Sequence, residues 1–399
     1  MTAAPQSSQK SAAPSKFGIW HTVVVPFLLS RIVVMAILVG APLVSIDSGT
    51  DLLSIRMRPR AEYSQAIRTA LLPGDAVHYL DIAQHGYARF LSRGWFPLFP
   101  ILWRSLARLT GEFPVTGALL SNGLFLIGLI LLYRAIPLLG FGPNVAARTI
   151  LYLSIFPASH FFSVPLTESL FLALSAGAFY AGLRGSWILA GLCGILASAT
   201  RLPGALLAAP LLMLCWQGKF RLRNAVPVLL IPAGAIAYFT YLRSAFGDFF
   251  AYRNAQAAVM AGLPVSAGGS APGSPAVHAE FFLSPLVRYA LHPTVFHAWS
   301  FLPLQFATAV FALVCVWRFA RRQQWVLALY LAASMVLPLS AGLFGSFTRF
   351  MMVCFPVTLE LARMAEDRPM LDHAIRLTFA AFLALYTLAC ALKFGLAMA

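Results

Sequence analysis

Long apolar runs recur along almost the whole chain, and they limit what it can fold into. Backbone that enters hydrocarbon must satisfy its own hydrogen bonds, so runs of this kind become helices. About eleven read as spans, at residues 19–44, 115–133, 145–163, 169–183, 187–199, 202–216, 226–242, 296–317, 325–344, 350–361 and 375–392, several of them shorter than the roughly 20 residues a crossing needs. With 60% of the 399 residues hydrophobic and 11% charged, the fold class is all-α: a polytopic integral membrane protein with a structured first exterior loop carrying amphipathic helices. The formal charge of +16 then falls on a small aqueous surface. Its basic residues are spread singly between apolar runs, which argues against a nucleic-acid partner and for anionic membrane lipid.

Basic residues also orient the chain. The short loops with Lys219, Arg221 and Arg223, with Arg318, Arg321 and Arg322, and with Arg363 and Arg368 fall on the side of Lys10 and Lys16, so the N-terminus is expected in the cytoplasm. Residues 1–16 read as a disordered tail, and the run that follows is too long for a cleaved signal peptide. Residues 17–399 then form one domain with two exterior loops, 46–114 and 245–294. The middle of the second, AGLPVSAGGSAPGSPAVHAE, reads as a flexible linker, or as a lid over a lipid site. Arginine outnumbering lysine, with abundant alanine, points to a bacterial inner membrane. The five cysteines, Cys193, Cys215, Cys315, Cys354 and Cys390, lie in apolar stretches without metal-ligand spacing and read as packing residues.

The first exterior loop carries the chemistry. In LLPGDAVHYLDIAQHGY, Pro73 and Gly74 break structure, Asp75 suits an N-cap and Gly86 a helix end, which predicts a helix from Asp75 to His85. At about 100° per residue, Asp75, His78, Tyr79, Asp81, Ile82 and His85 share one side, while Ala76, Val77, Leu80 and Ala83 form an apolar side expected to pack on the bundle. Asp75 and Asp81 sit about 120° apart on that wheel and do not share a small ligand. Asp75 is either a cap suited to the helix dipole or a general base at the membrane surface. His78 and His85 read as hydrogen-bonding groups rather than zinc ligands. Downstream, GWFPLFPILWRSLARLTG predicts an interfacial helix with Arg104 and Arg108 one turn apart, anchoring the loop or guiding a lipid phosphate.

The series GDAVHYLDIAQHGY, WFPLFP, FPASHFFSVPLTESLF, SATRLPG, FGDFFAYRNAQ and FTRFMMVCFP, in this order, resembles the phosphatidylinositol-glycan class V (PIG-V) mannosyltransferases and their bacterial relatives. Departures are Gly74 where Trp is expected, Phe99 where Tyr is usual and Leu166 where Tyr precedes Thr-Glu. The resemblance implies a C-type glycosyltransferase that uses a polyprenyl-phosphate sugar, with an essential acid in the first exterior loop at Asp75. Within the matched segments, His78, Tyr79, Asp81, His85, Tyr87, His160, Thr167, Glu168 and Asp248 are the expected substrate-binding residues.

Charges inside apolar runs give an independent signal. Glu168, Arg201, Asp248 and Arg349 fall near exterior span ends, where an ionisable group is costly unless paired or functional. Arg201 and Arg349 are candidates to fork around a donor phosphate, or else to snorkel or pair with Glu168. Arg31 in the first span reads as a snorkelling or packing residue. No D-x-D pair, Gly-rich phosphate loop, nucleophile elbow or zinc spacing is present, so neither a metal nor a cofactor is expected. The reading is a membrane glycosyltransferase acting at the exterior face on a lipid-linked or surface-glycan hydroxyl. Its rival, a flippase for lipid-linked sugars, would often show a sequence repeat, and none is found.

Overall fold

The computed structural model describes residues 16–47, 54–218, 221–260, 302–340 and 346–392. In chain order these form α1 (Val25–Gly40), a hairpin of β1 (Val44–Asp47) and β2 (Ser54–Met57), α2 (Tyr63–Ala70), α3 (Ala76–His85), α4 (Leu98–Thr110), α5 (Phe113–Ala135), α6 (Pro143–Ser154), α7 (Glu168–Leu183) and α8 (Trp187–Ser198). There follow α9 (Ala208–Gln217), α10 (Leu222–Leu229), α11 (Ala233–Phe246), α12 (Ala251–Met260), α13 (Leu302–Arg321), α14 (Trp325–Ser340), α15 (Phe347–Met352), α16 (Pro356–Met364) and α17 (Pro369–Ala391). The antiparallel hairpin, which pairs Val44 with Met57, is the one departure from an all-α chain among the described residues. The tail and the Gly- and Pro-rich linker of the second exterior loop lie outside them.

Among the described residues, five stretches are long and apolar enough to cross a membrane: Trp20–Leu43, Phe113–Leu139, Leu222–Phe246, Leu304–Arg321 and Pro369–Ala391. Glu168–Leu183, Trp187–Ser198, Leu202–Gln217 and Trp325–Leu339 are shorter apolar helices. Three of the eleven expected runs are not continuous helices, the one at 226–242 being divided between α10 and α11 at residues 230–232. The run at 145–163 ends as α6 at Ser154 and continues irregularly, through a 3-10 turn at Ser159–Phe162, to Glu168. The run at 350–361 is split between α15 and α16. Pro157 and Pro165 fall in the break after α6, Pro232 in that between α10 and α11 and Pro356 at that between α15 and α16, each lacking the amide hydrogen a helix needs. Residues 156–173 are all buried, so this irregular backbone faces protein rather than lipid.

Prolines in the first turns of α5, α6, α16 and α17 cost no helical hydrogen bond and preset the backbone. At the centre, α7 is buried on nearly all sides between α5 and α8. Gly117 on α5 allows the closest approach there: a Cβ would stand 2.6 Å from Trp103 and 2.7 Å from Pro165. Thus α4, the irregular stretch and α5 are locked together directly beside α3.

Candidate active site

The helix α3 follows a tight turn and ends at Gly86, whose φ of 70° few other residues adopt. Its buried surface extends well beyond the expected side. Ala76, His78, Tyr79, Asp81, Ile82 and Ala83 are buried, while Val77 is 37% exposed. The polar half packs inward because other elements supply its partners. His78 stacks on Trp95 at 3.8 Å, and burial lowers its pKa against the opposing pull of Asp75 and Asp81. Its Nδ1 is buried without a hydrogen-bond partner. Tyr79 packs edge-on to Phe99 and Trp95, and burial, then the Asp75 charge, raises its phenol pKa.

Asp75 sits at the N-cap position but makes no side-chain capping bond. Instead, Arg349 on α15 donates Nη1 to Asp75 Oδ2 at 3.0 Å and Nε to Glu168 Oε1 at 2.7 Å. Arg201, just after α8, donates Nη1 to the same Glu168 oxygen at 3.1 Å and lies over the Phe350 ring at 4.8 Å. Two acids and two arginines from four distant parts of the chain make one neutral string. Glu168 is fully buried, with Oε2 lacking a hydrogen-bond partner, and both arginines are buried. The Asp75 side chain is 26% exposed and is the open end. Both acids engage Arg349, so its fork is committed within the protein; Arg201 gives one nitrogen to Glu168.

The remaining expected residues divide. Thr167, buried, precedes Glu168 at the start of α7, and His160 is buried against Phe161. Asp81 forms a separate cluster, accepting from Ser92 and pairing with His85 at 3.0 Å and Arg89 at 2.8 Å. His85 is accordingly half exposed and turned towards Asp81. The Tyr87 hydroxyl donates to the Trp95 carbonyl. Asp248 accepts from the Phe250 amide and the Asn254 side chain, so its carboxylate organises the start of α12. On the expected interfacial helix α4, Arg104 donates to the Gln84 carbonyl and ties α4 to α3. Among the described residues, no three His, Cys, Asp or Glu side chains gather around a common metal position.

Two contributors escaped the sequence. Tyr252 on α12 feels both Arg201 and Asp75, and burial pushes its phenol up to about 12; it lies within FGDFFAYRNAQ but carries no charge to single it out. Arg31 is a packing residue rather than a snorkelling one, but what it packs against was not legible. Its guanidinium donates to the Ser154 and Ser159 carbonyls and to the Ser30, Ser159 and Ser163 hydroxyls, between 2.8 and 3.3 Å. It therefore clamps the irregular stretch that leads into Thr167 and Glu168.

Residues 23–206 match the Mannosyltransferase (PIG-V) family. No curated protein matches the chain. Similar solved structures include the oligosaccharyltransferase of Archaeoglobus fulgidus in its apo form, with a TM-score of 0.48 and 11% identity over 95% of this chain and 56% of that one. The same enzyme tethered to an acceptor peptide gives 0.42 and 11% over 94% and 55%. The archaeal oligosaccharyltransferase AglB from that organism, in complex with an inhibitory peptide and dolichol-phosphate, gives 0.44 and 10% over 95% and 56%. The chain spans little more than half the length of these proteins. The family match covers Arg31, Asp75, Glu168 and Arg201, so the part of the chain that resembles the Mannosyltransferase (PIG-V) family carries three of the four members of the charged string.

Proposed function

We propose that the protein is a membrane glycosyltransferase that moves a hexose, mannose, from a polyprenyl-phosphate sugar to a hydroxyl of a lipid-linked or surface glycan. In this reading residues 17–399 act as one domain, loop 46–114 supplies the base, and the site opens on the exterior face of a bacterial inner membrane with the N-terminus in the cytoplasm. The observation that carries it is the Asp75–Arg349–Glu168–Arg201 string, with a carboxylate at its open end.

The acceptor hydroxyl gives its proton to Asp75 Oδ1 while its oxygen attacks the anomeric carbon. The bond from that carbon to the phosphate oxygen breaks, its electron pair leaves with the polyprenyl phosphate, and the configuration inverts. Charge makes the string suited to this step. It is neutral at rest; when Asp75 takes the proton, the string becomes positive by one as the departing phosphate gains one negative charge. Stabilisation therefore grows along the reaction coordinate, which is where it accelerates the chemistry. Arg201, held by one nitrogen, is the donor-phosphate contact, and Arg349 positions Asp75. His78, Tyr79, Thr167 and His160 shape the buried wall behind them.

The test is to incubate the purified full chain with radiolabelled polyprenyl-phosphate mannose and membrane extract. Label should pass to an acceptor. Label that crosses the bilayer of reconstituted vesicles unchanged, with no transfer, would identify a flippase and end the proposal.

A further inference from the structure

A second charged cluster lies far from Asp75 along the bundle. The helix α13 starts beside the candidate active site, where Gln305 Oε1 accepts the Thr348 amide at 2.7 Å, next to Arg349. About 20 Å further along the helix axis, Arg318 donates Nε to Glu360 of α16. Arg322 reaches both Glu360 oxygens at 3.0 and 3.1 Å, and Arg363 places Nε on Oε2 at 3.1 Å. Glu360 is fully buried, whereas the three arginines are 28%, 31% and 27% exposed.

One carboxylate cannot neutralise three guanidiniums, so two positive charges remain at a half-open position. Each guanidinium has five N–H donors and spends only one or two on Glu360, leaving others for an outside anion. Planar forks of this kind suit phosphate oxygens. The acidic residues that follow Arg363 are Glu366, whose Oε1 lies near Gly142, and the exposed Asp367.

The surface leading to the cluster says what bears the phosphate. Val310, Leu313, Val314 and Trp317 recur at helical spacing on α13 and are all exposed. The stripe ends at Trp317, with Arg321 over its ring at 5.4 Å. An apolar stripe that closes on Trp and then Arg is the profile of a helix leaving hydrocarbon for a headgroup layer. We propose that Arg318, Arg322 and Arg363 bind the phosphate of an anionic phospholipid whose acyl chain lies along Val310, Leu313, Val314 and Trp317. This site stands apart from the transfer chemistry and does not depend on it.

The full-length protein in detergent is titrated with phosphatidylglycerol and with phosphatidylcholine, bound lipid being counted by native mass spectrometry, with inorganic phosphate as competitor. Phosphatidylglycerol should bind the more tightly. Arg322→Gln should weaken it about five-fold, and Arg322→Gln with Arg363→Gln about 25-fold, Arg318 still pairing Glu360. Trp317→Ala should weaken it too. Glu360→Gln removes the negative charge and keeps every arginine, so it should tighten binding, a gain that a damaged fold cannot mimic. Equal affinity for the two lipids, no loss in the arginine variants, or weaker binding by Glu360→Gln overturns the proposal. So does displacement of phosphatidylglycerol by inorganic phosphate at matching concentration, which would mark a plain ion site.

Discussion

Replacing Arg349 with Lys separates a residue that positions the base from one that holds the donor phosphate. The guanidinium spans two acids, with Nε 2.7 Å from Glu168 and Nη1 3.0 Å from Asp75. A single ammonium keeps the charge but cannot place two fixed donors in that plane. Glu168 is fully buried, so lysine should stay with it and release Asp75. The lost charge-assisted bond is worth roughly 1.5 to 3 kcal/mol, or about ten- to a hundred-fold in rate if it acts on the transition state. We expect that loss in kcat, with the donor KM nearly unchanged, in saturation kinetics on detergent-purified protein with polyprenyl-phosphate mannose. Adding Arg349→Lys to Asp75→Asn should then cost little more than Asp75→Asn alone, because Arg349 acts through Asp75. An unchanged kcat with a raised donor KM would refute this reasoning and return Arg349 to the phosphate. Arg349→Met is the wrong probe: leaving buried Glu168 short of a partner costs about 3–5 kcal/mol and threatens the fold.

Asp75→Asn should lower transfer by about a hundred-fold or more, with a modest fall in Tm because the amide oxygen can still accept from Arg349 but no longer balances its charge; retention of half the turnover excludes it as the base. Arg201→Lys, in contrast, should raise the donor KM about ten-fold, and wild-type donor dependence would place the phosphate elsewhere. Gly117→Ala forces a methyl against buried Trp103 and Pro165, costing about 1–3 kcal/mol, read as a lowered Tm. For pH, burial depresses His78 below its ordinary 6.5, so above that value both folded and unfolded chains hold it neutral and nothing is gained or lost. As pH falls below 6.5 the unfolded chain takes up a proton that the folded chain refuses, and stability is lost until the folded group also titrates. Melts from neutral to acid pH should show this slope, and His78→Gln should flatten it. Finally, in a cysteine-free background, His85→Cys should react with an impermeant thiol reagent from outside and Gln217→Cys should not; the reverse pattern would invert the topology.

The helix α3 was readable almost to the residue, because Pro73, Gly74 and Gly86 are local signals. The burial of its polar half was not. A helical wheel divides residues but is silent on partners, and the partners that bury His78 and Asp81 are Trp95 and Ser92 on a later turn. Charge within apolar runs correctly drew attention to Glu168, Arg201 and Arg349, since such groups need company. Pairing with Glu168 was one of the alternatives; the link from Arg349 to Asp75, 274 positions apart, was not legible. The clamp by Arg31 was hidden for another reason: its acceptors are serines and backbone carbonyls, which give no signal in a hydropathy trace. Hydropathy also joined three broken segments into spans, although Pro157, Pro165, Pro232 and Pro356 were legible warnings.

The Arg31 clamp also imposes an order on how the protein is made. The farthest acceptors lie 128 to 132 residues downstream, so the first span enters the membrane long before the groups that will receive its guanidinium exist. At roughly 5–20 residues per second of synthesis, that interval is about 6 to 25 s. Throughout it the first span carries a cation near its middle, a burden of about 2.5–3.5 kcal/mol for insertion. The sixteen residues of α1 offset this with an otherwise almost wholly apolar sequence, VPFLLSRIVVMAILVG. The first helix is therefore held as an unfinished part, and the arrival of Ser154, Ser159 and Ser163 is the event that turns it from a passenger in the lipid into the back wall of the site.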